Sequence, residues 1–272
     1  METLRRISEA LDAAVGALSR FVPGAVTADH KSGGRGPVTE ADRAVDRVLR
    51  EILLRNGDGW FSEETVDDFE RLKKERVWVV DPLDGTREFV EGIPEWCVSI
   101  GLVEDGRAIA GGIRNPATGE TFLGSLEKGI TYNGKRARVS ERQRLAGALV
   151  LASRSEVRRG EWEQFREAAF VVRPVGSVAY KLALVAAGLA DATWTFSPKN
   201  EWDIAAGVAL IEAAGGFART LENSGLTFNN RSSLVSGLFA GGPCLHGELN
   251  SLVERRVEFV LRHDNGNEQG RR

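Results

Sequence analysis

Two carboxylates three residues apart, Asp81 and Asp84, stand at the end of an apolar run, Val77-Trp78-Val79-Val80. A β-branched and aromatic run without polar alternation is the pattern of a strand buried on both faces. Acids at the mouth of such a strand cost free energy unless a cation or hydrogen-bond donors meet them there. Pro82 is expected to stop the strand. Asp84-Gly85-Thr86 then reads as the entry to a short helix, whose free N–H groups and positive dipole end suit a phosphate. Glu63, in Ser62-Glu63-Glu64-Thr65 at the end of a short strand through Trp60-Phe61, is a candidate third ligand. Asp203, behind Trp202 at the start of an apolar helix, is a fourth. Four acids with no His or Cys beside them favour a hard cation, Mg2+ or Mn2+, bound through oxygen. Two such ions sharing Asp81 can hold a phosphate and activate a water for in-line attack. Each acid also has a plainer local reading. Asp203 fits a helix N-cap, Asp42 with Thr39 fits a capping box, and Glu63-Glu64 fit solvated strand-end acids.

The rest of the chain must position these groups. Its 272 residues suffice for one large domain or two modest ones. Residues 2–20 place Leu4, Ile7, Leu11, Ala14, Val15 and Leu18 on one helical stripe, ended by Pro23-Gly24. Residues 25–36 carry Lys31 among glycines and read as a loop that either closes over a phosphate or simply connects. A second helix follows Pro37-Val38-Thr39, with Ala41, Val45, Leu49 and Leu53 inward. After the central stretch, Trp96–Val103 and Ala108–Arg114 flank the turn at Asp105-Gly106, and Asn133-Gly134 signals another hairpin. The first half therefore reads as two helices and then an antiparallel sheet, to about residue 143. From there strands and helices alternate, which argues an α/β layer. The expected elements are strands at 148–152, 170–175, 190–195 and 234–240, and helices at 160–169, from Gly176-Ser177 through Ala187, from Glu201 to Gly215-Gly216, and at 243–262. The division expected is 1–143, 144–263 and a frayed tail at 264–272.

Composition narrows the function. A net charge of −3 gives no electrostatic case for a nucleic-acid polymer or a membrane surface. No apolar run approaches the ~20 residues of a membrane-spanning helix, and the mixed-charge N-terminus is unlike a signal peptide. His30, His246 and His263 are scattered, so a zinc site or a Ser-His-Asp triad is poorly supplied. Cys97 and Cys244, both in apolar surroundings, are expected as buried free thiols in a reducing cytoplasm.

Four motifs in order make a resemblance specific. Asp81-Pro-Leu-Asp-Gly-Thr86 resembles a signature of the inositol monophosphatase superfamily, and Trp202-Asp-Ile-Ala-Ala-Gly207 with Glu212-Ala-Ala-Gly-Gly216 is similar to its second. Ser62-Glu63-Glu64 and Pro37-Val-Thr-Glu-Ala-Asp42 resemble two further elements. The resemblance implies a five-layered αβαβα sandwich, with an antiparallel-sheet half followed by a mixed-sheet α/β half. It implies Glu63, Asp81 and the Leu83 carbonyl on one Mg2+, and Asp81, Asp84 and Asp203 on a second. A third, weaker ion would face Glu63 through water. Gly85 and Thr86 would offer N–H groups to the phosphate, and Thr86 with Asp42 would orient the attacking water, beside Glu63. Lys31 would match a basic position of a metal-binding loop. Lithium inhibition and a homodimer are implied in the same way.

The substrate is less clearly written. Glu88 before Phe89, Ser62 before Glu63, Ser153-Arg154-Ser155 and Gly176-Ser177-x-x-x-Lys181 resemble bacterial 3′(2′),5′-bisphosphate nucleotidases more than inositol phosphatases. Lys181, Arg154 and Lys199 are candidates for a second phosphate, with solvated surface charge as the alternative. Trp194 and Phe196 are candidates for an aromatic wall or, more commonly, core. The leading expectation is a Mg2+-dependent phosphomonoesterase acting on 3′-phosphoadenosine 5′-phosphate. An inositol-1-phosphate, sugar or histidinol phosphate phosphatase is the alternative, and a catalytically silent metal- or nucleotide-binding regulator is the alternative of another class.

Overall fold

The computed structural model describes residues 2–30, 37–55 and 57–256. In chain order the elements are α1 (Glu2–Leu18), β1 (Asp29–His30), β2 (Pro37–Val38), α2 (Glu40–Leu53), β3 (Gly59–Ser62), β4 (Arg76–Asp84), α3 (Thr86–Glu91), β5 (Cys97–Glu104), β6 (Arg107–Asn115), β7 (Glu120–Ser125), β8 (Gly129–Tyr132) and β9 (Lys135–Ala137). Then come β10 (Leu149–Ser153), α4 (Arg154–Arg158), β11 (Val171–Val175), α5 (Val178–Ala186), β12 (Ala192–Thr195), β13 (Lys199–Asn200), α6 (Glu201–Ala213), β14 (Phe217–Thr220), β15 (Leu234–Val235) and β16 (Leu238–Gly241). A terminal helix covers 246–256.

β4 is buried on both faces, as its composition requires, and its two faces belong to different cores. Trp78 and Val80 pack with Ile7, Leu11, Val45 and Leu49 of α1 and α2. Val77 and Val79 pack with the cluster built around α5 and α6. A strand has a side-chain period of 2, so an unbroken apolar run supplies both. Around β4 the first sheet has seven strands in the order β3-β4-β5-β6-β7-β8-β9. The second has five, in the order β11-β10-β12-β16-β14, with parallel and antiparallel pairs. Helices α5 and α6 lie between the sheets. Apart from Lys181 and the acids near the two ends of α6, they are apolar all round because they are covered all round. On the far side of the second sheet, Trp162, Leu245, Leu249 and Val253 close a third core. The layers are thus α1/α2, sheet, α5/α6, sheet, outer helices, the five-layered αβαβα sandwich that the motif order implies.

Close packing of the middle layer needs residues without side chains. A Cβ at Gly111 would lie 2.5 Å from the Ala206 carbonyl oxygen, and one at Gly207 would lie 2.4 Å from Leu182 Cβ. Because the Leu182 atom is rooted in the backbone of α5, it cannot swing aside. Gly207→Ala is expected to destabilise the protein by about 1–3 kcal/mol through overpacking. Urea unfolding at equilibrium measures this, and an unchanged midpoint would contradict the packing described.

Both hairpin signals hold: Asp105/Gly106 and Asn133/Gly134 each pair two left-handed residues, the geometry of a type I′ turn. Other expectations need correction. The first sheet is not wholly antiparallel, because β3 pairs with β4 in parallel and the intervening segment crosses over. The expected helix at 160–169 is instead a run of turns around a single 3-10 turn at Glu163–Phe165, and the regular helix nearby, α4, is complete by Arg158. Gly160 ends the first turn with a left-handed backbone, and the tighter spacing turns both Trp162 and Phe165 onto Trp194. The strand expected at 234–240 is two strands, since β15 pairs with β13 whereas β16 joins β12 and β14. Cys97 is buried, but Cys244 is exposed, at the turn that opens the terminal helix. The tail at 264–272 lies outside the described residues.

Candidate active site

The strand does not stop at Pro82. β4 continues to Asp84 through a bulge: Asp81 lies opposite Ser99 and Asp84 opposite Cys97, three steps on one strand matched by two on the other. In a regular strand residues i and i+3 face opposite ways. The extra residue cancels that reversal, and Asp81 and Asp84 line the same cleft. Pro82 is tolerated because it sits where the ladder is interrupted. The cleft has a volume of about 470 Å3, and Glu63, Leu83, Gly85, Thr86 and Asp203 also line it.

Each acid is held by one oxygen. Asp81 Oδ1 accepts the Leu83 N–H at 2.9 Å. Asp84 Oδ2 accepts the Ser177 hydroxyl at 2.7 Å and the Ala179 N–H at 2.6 Å, so the first turn of α5 grips it. Asp203 Oδ2 accepts the Asn200 N–H at 2.9 Å, completing a capping box on α6. The second oxygens of these three take no hydrogen bond among the described residues. Glu63 is placed by its backbone, whose N–H donates to the Val80 carbonyl at 3.3 Å. Beside it the Ser62 hydroxyl donates to Asp46 on α2 at 2.5 Å.

Gly85 begins α3 with φ 95°, and a Cβ there would lie 2.9 Å from the Glu95 carbonyl oxygen. Both the backbone angle and the crowding require glycine. Thr86 Oγ1 lies 3.0 Å from Asp42 Oδ1 and 3.0 Å from the Leu83 carbonyl. Its one hydrogen serves one of them at a time, and the carboxylate is the stronger acceptor. Asp42 Oδ2 meanwhile accepts the Thr39 N–H at 2.7 Å and hydroxyl at 2.6 Å. The two readings of Asp42 are compatible: one oxygen caps α2 and the other faces Thr86.

Charge is the conspicuous property of the cleft. Burial pushes the Asp81 carboxyl well above its usual range, and repulsion from Glu63, Asp84 and Asp203 adds to the shift. Asp203 is raised first by burial and then by Asp84 and Glu63. Burial also raises Asp84, although Ser177, Ala179 and Lys181 oppose the shift. Ionised acids this close and this poorly hydrated ask for a cation. Among the described residues no three of them stand in ready-made ligating geometry. The fit to a metal rests instead on the donor set: convergent oxygens, three of them without a donor among the described residues, and no His or Cys among the described residues lining the cleft. That set suits Mg2+.

Lys181 is only 4% exposed, yet it lines the cleft. Its Nζ donates to the Ser177 carbonyl at 3.0 Å and lies 3.4 Å from that of Val175. Burial brings its pKa down to about 8, against the pull of Asp84. Lys199 lines the same cleft and pairs with Glu156 at 3.2 Å.

The other sequence candidates divide between the cleft and its surroundings. Arg154 donates to Glu95 at 3.0 and 2.6 Å, where the Gly176 N–H also arrives, and it is not among the residues lining the cleft. Ser177 lines the cleft, where its hydroxyl donates to Asp84. Ser177 has φ 57°, uncommon for a residue with a side chain, and its contacts with Asp84 and Lys181 hold it there. Trp194 is buried against Trp162 in the third core, the commoner of the two expectations for it. Lys31 lies outside the described residues. Two contributors went unrecognised as site residues. Glu88, 8% exposed, lines the cleft with a carboxyl raised by burial and by Asp84. Asp46 braces the Ser62 turn, and its position four residues after Asp42 on α2 was the available signal.

Buried acids lining one cleft, beside backbone donors at a helix start, fit the class of metal-dependent phosphoester hydrolases. The inositol monophosphatase family matches residues 1–258, and the chain belongs to it. Members of this family are phosphoric monoester hydrolases and generally depend on Mg2+. The chain is 32% identical over 242 residues to a fructose-1,6-bisphosphatase/inositol-1-monophosphatase of Thermotoga maritima, covering 85% of this chain and 88% of the relative. It is 36% identical over 215 residues to an inositol-1-monophosphatase of Mesorhizobium japonicum, covering 75% and 80%. A solved Thermotoga maritima IMPase superposes with a TM-score of 0.81 at 28% identity, covering 96% of this chain and 100% of that one.

Proposed function

We propose that the chain hydrolyses a small phosphorylated metabolite with water as the attacking group, and that its preferred substrate is a 3′(2′),5′-bisphosphate nucleotide such as 3′-phosphoadenosine 5′-phosphate. In this reading Glu63, Asp81 and the Leu83 carbonyl hold one Mg2+, and Asp81, Asp84 and Asp203 hold a second. Glu63 also faces a third, weaker ion. Bound Mg2+ supplies positive charge for the phosphoryl oxygens and acidifies the attacking water. The N–H groups of Gly85 and Thr86 orient the phosphate. Thr86, with its hydrogen drawn to Asp42, turns a lone pair to the water, so that the water's proton passes to Thr86 Oγ1 as the Thr86 hydrogen passes to Asp42 Oδ1. The bulge keeps the two ligand acids on one side, and the first turn of α5 fixes the angle of Asp84.

The observation that carries the nucleotide preference is Lys181. A buried ammonium with two of its three N–H bonds satisfied by carbonyls keeps a third for a ligand. With Lys199 beside it, the cleft offers two lysines to a second phosphate. Lys181→Ala is expected to lower kcat/KM for 3′-phosphoadenosine 5′-phosphate at least about 10-fold more than for inositol-1-phosphate, the scale of one charge-assisted contact. Equal losses would remove the preference. Hydrolysis of inositol-1-phosphate is the second reading, favoured by the activities named for the relatives and by the placing of Trp194 in the core. A phosphate-release panel in Mg2+ with both compounds, fructose-1,6-bisphosphate and histidinol phosphate separates the two. No described helix is long and apolar enough to cross a membrane. We propose a cytoplasmic homodimer in which segments 1–143 and 144–263 each contribute to every active site.

A further inference from the structure

Arg71 touches no part of the cleft and is 2% exposed. Its guanidinium nevertheless donates through all three nitrogens. Nε and Nη2 reach the Asp67 carboxylate at 3.1 and 2.9 Å. Nη1 donates to Asn229 Oδ1 at 2.8 Å, and Nη2 to the Asn230 carbonyl at 2.9 Å. The plane lies over the Phe61 ring, 3.5 Å from its centroid. Asn229 and Asn230 are held from the other side by Glu201, which is wholly buried: Oε2 accepts the Asn229 N–H at 2.6 Å, and Oε1 accepts the Asn230 N–H at 2.9 Å.

These contacts join two parts of the chain far apart in sequence, and each part bears a ligand acid. Phe61 stands two residues before Glu63. Glu201 stands two residues before Asp203 at the start of α6. Trp202, between them, meets the Phe61 ring edge-on at 5.0 Å. A buried ionic network gives little net stability, because desolvation offsets its attraction. What it delivers is geometry, and a planar five-donor fork delivers more of it than an ammonium. We propose that the Arg71–Glu201 network is a clasp that sets the separation of Glu63 and Asp203, making Arg71 a positioning residue for metal binding. The clasp rests on the reading of those two acids as metal ligands.

The test is Mn2+ binding, followed by the electron-paramagnetic-resonance signal of the free ion well below the melting temperature, with kcat at saturating Mg2+ measured in parallel. Arg71→Lys keeps the charge and loses the fork. It is expected to weaken Mn2+ binding about 10-fold or more, the usual scale for residues that orient ligands, while kcat at saturating metal stays within about 3-fold. Arg107→Ala, which breaks an exposed ion pair with Glu212, leaves the affinity unchanged. If Arg71→Lys fails to fold, Asn229→Ala removes one arm and carries the same expectation. A lower melting temperature with unchanged Mn2+ affinity overturns the clasp alone. Failure of the unsubstituted protein to bind Mn2+ overturns both the site reading and the clasp.

Discussion

Asp84→Asn abolishes phosphate-ester hydrolysis and leaves the protein folded. The expected fall is about 1,000-fold or more, about 4 kcal/mol of barrier. The change is nearly isosteric, and the amide oxygen can still accept from the Ser177 hydroxyl and the Ala179 N–H, so the grip of α5 on the bulge persists. What disappears is the negative charge, in a pocket where Asp84 and its neighbours already repel one another. Removing one acid relieves that repulsion, so the melting temperature in chelator should hold or rise while the gain from added Mg2+ shrinks. Phosphate release and circular-dichroism melts with and without Mg2+ check both halves. Turnover close to that of the unsubstituted protein would dismiss Asp84 as a ligand. A collapsed melt in chelator would show that its main work is structural.

Thr86→Val carries the second large effect. Valine keeps the shape and deletes the hydroxyl that links Asp42 to the cleft. General-base assistance of this kind is worth about 100- to 10,000-fold, so kcat is expected to fall on that scale with Mn2+ affinity little altered. The lost hydrogen bond leaves the buried Asp42 Oδ1 one donor short and costs about 1–3 kcal/mol of stability. That cost is common to any loss of the hydroxyl and does not identify a catalytic role. Thr86→Ser does identify one, because it restores the donor without the methyl. Activity in the serine variant near that of threonine, with the valine variant inactive, supports the water-orienting role. Equal activity of threonine and valine forms would end it.

Much of the site is readable in the chain because its parts obey local rules. The Thr39–Asp42 capping box, the type I′ turns and the doubly buried run 77–80 depend on residues within a few positions of one another, and each forms where the pattern says. The misreadings share a cause. Pro82 looks like a strand end when only β4 is considered, and it becomes part of a bulge when β5 supplies the ladder. Residues 160–169 have helical spacing, but a stack of rings on Trp194 selects a 3-10 turn. Arg154 looks available to a phosphate until Glu95 and Gly176, far from it in sequence, meet at its guanidinium.

Residue types and order by themselves determined an antiparallel half followed by an α/β half and the set of acids from which a metal site can be built, and the four motifs, through their resemblance, implied the family and its layered αβαβα fold. Burial patterns, turn chemistry and hard oxygen donors are properties of short segments, and they survive in a bare sequence. Tertiary structure alone decided that the bulge would bring Asp81 and Asp84 to one side, that α5 would hold Asp84 through Ser177, and that Arg71 and Glu201 would tie the Glu63 segment to the Asp203 helix. Strand register and long-range hydrogen bonds join segments up to 159 residues apart. A directional contact of that kind comes into being only when both ends are fixed in space, and so it leaves no periodic trace in either segment.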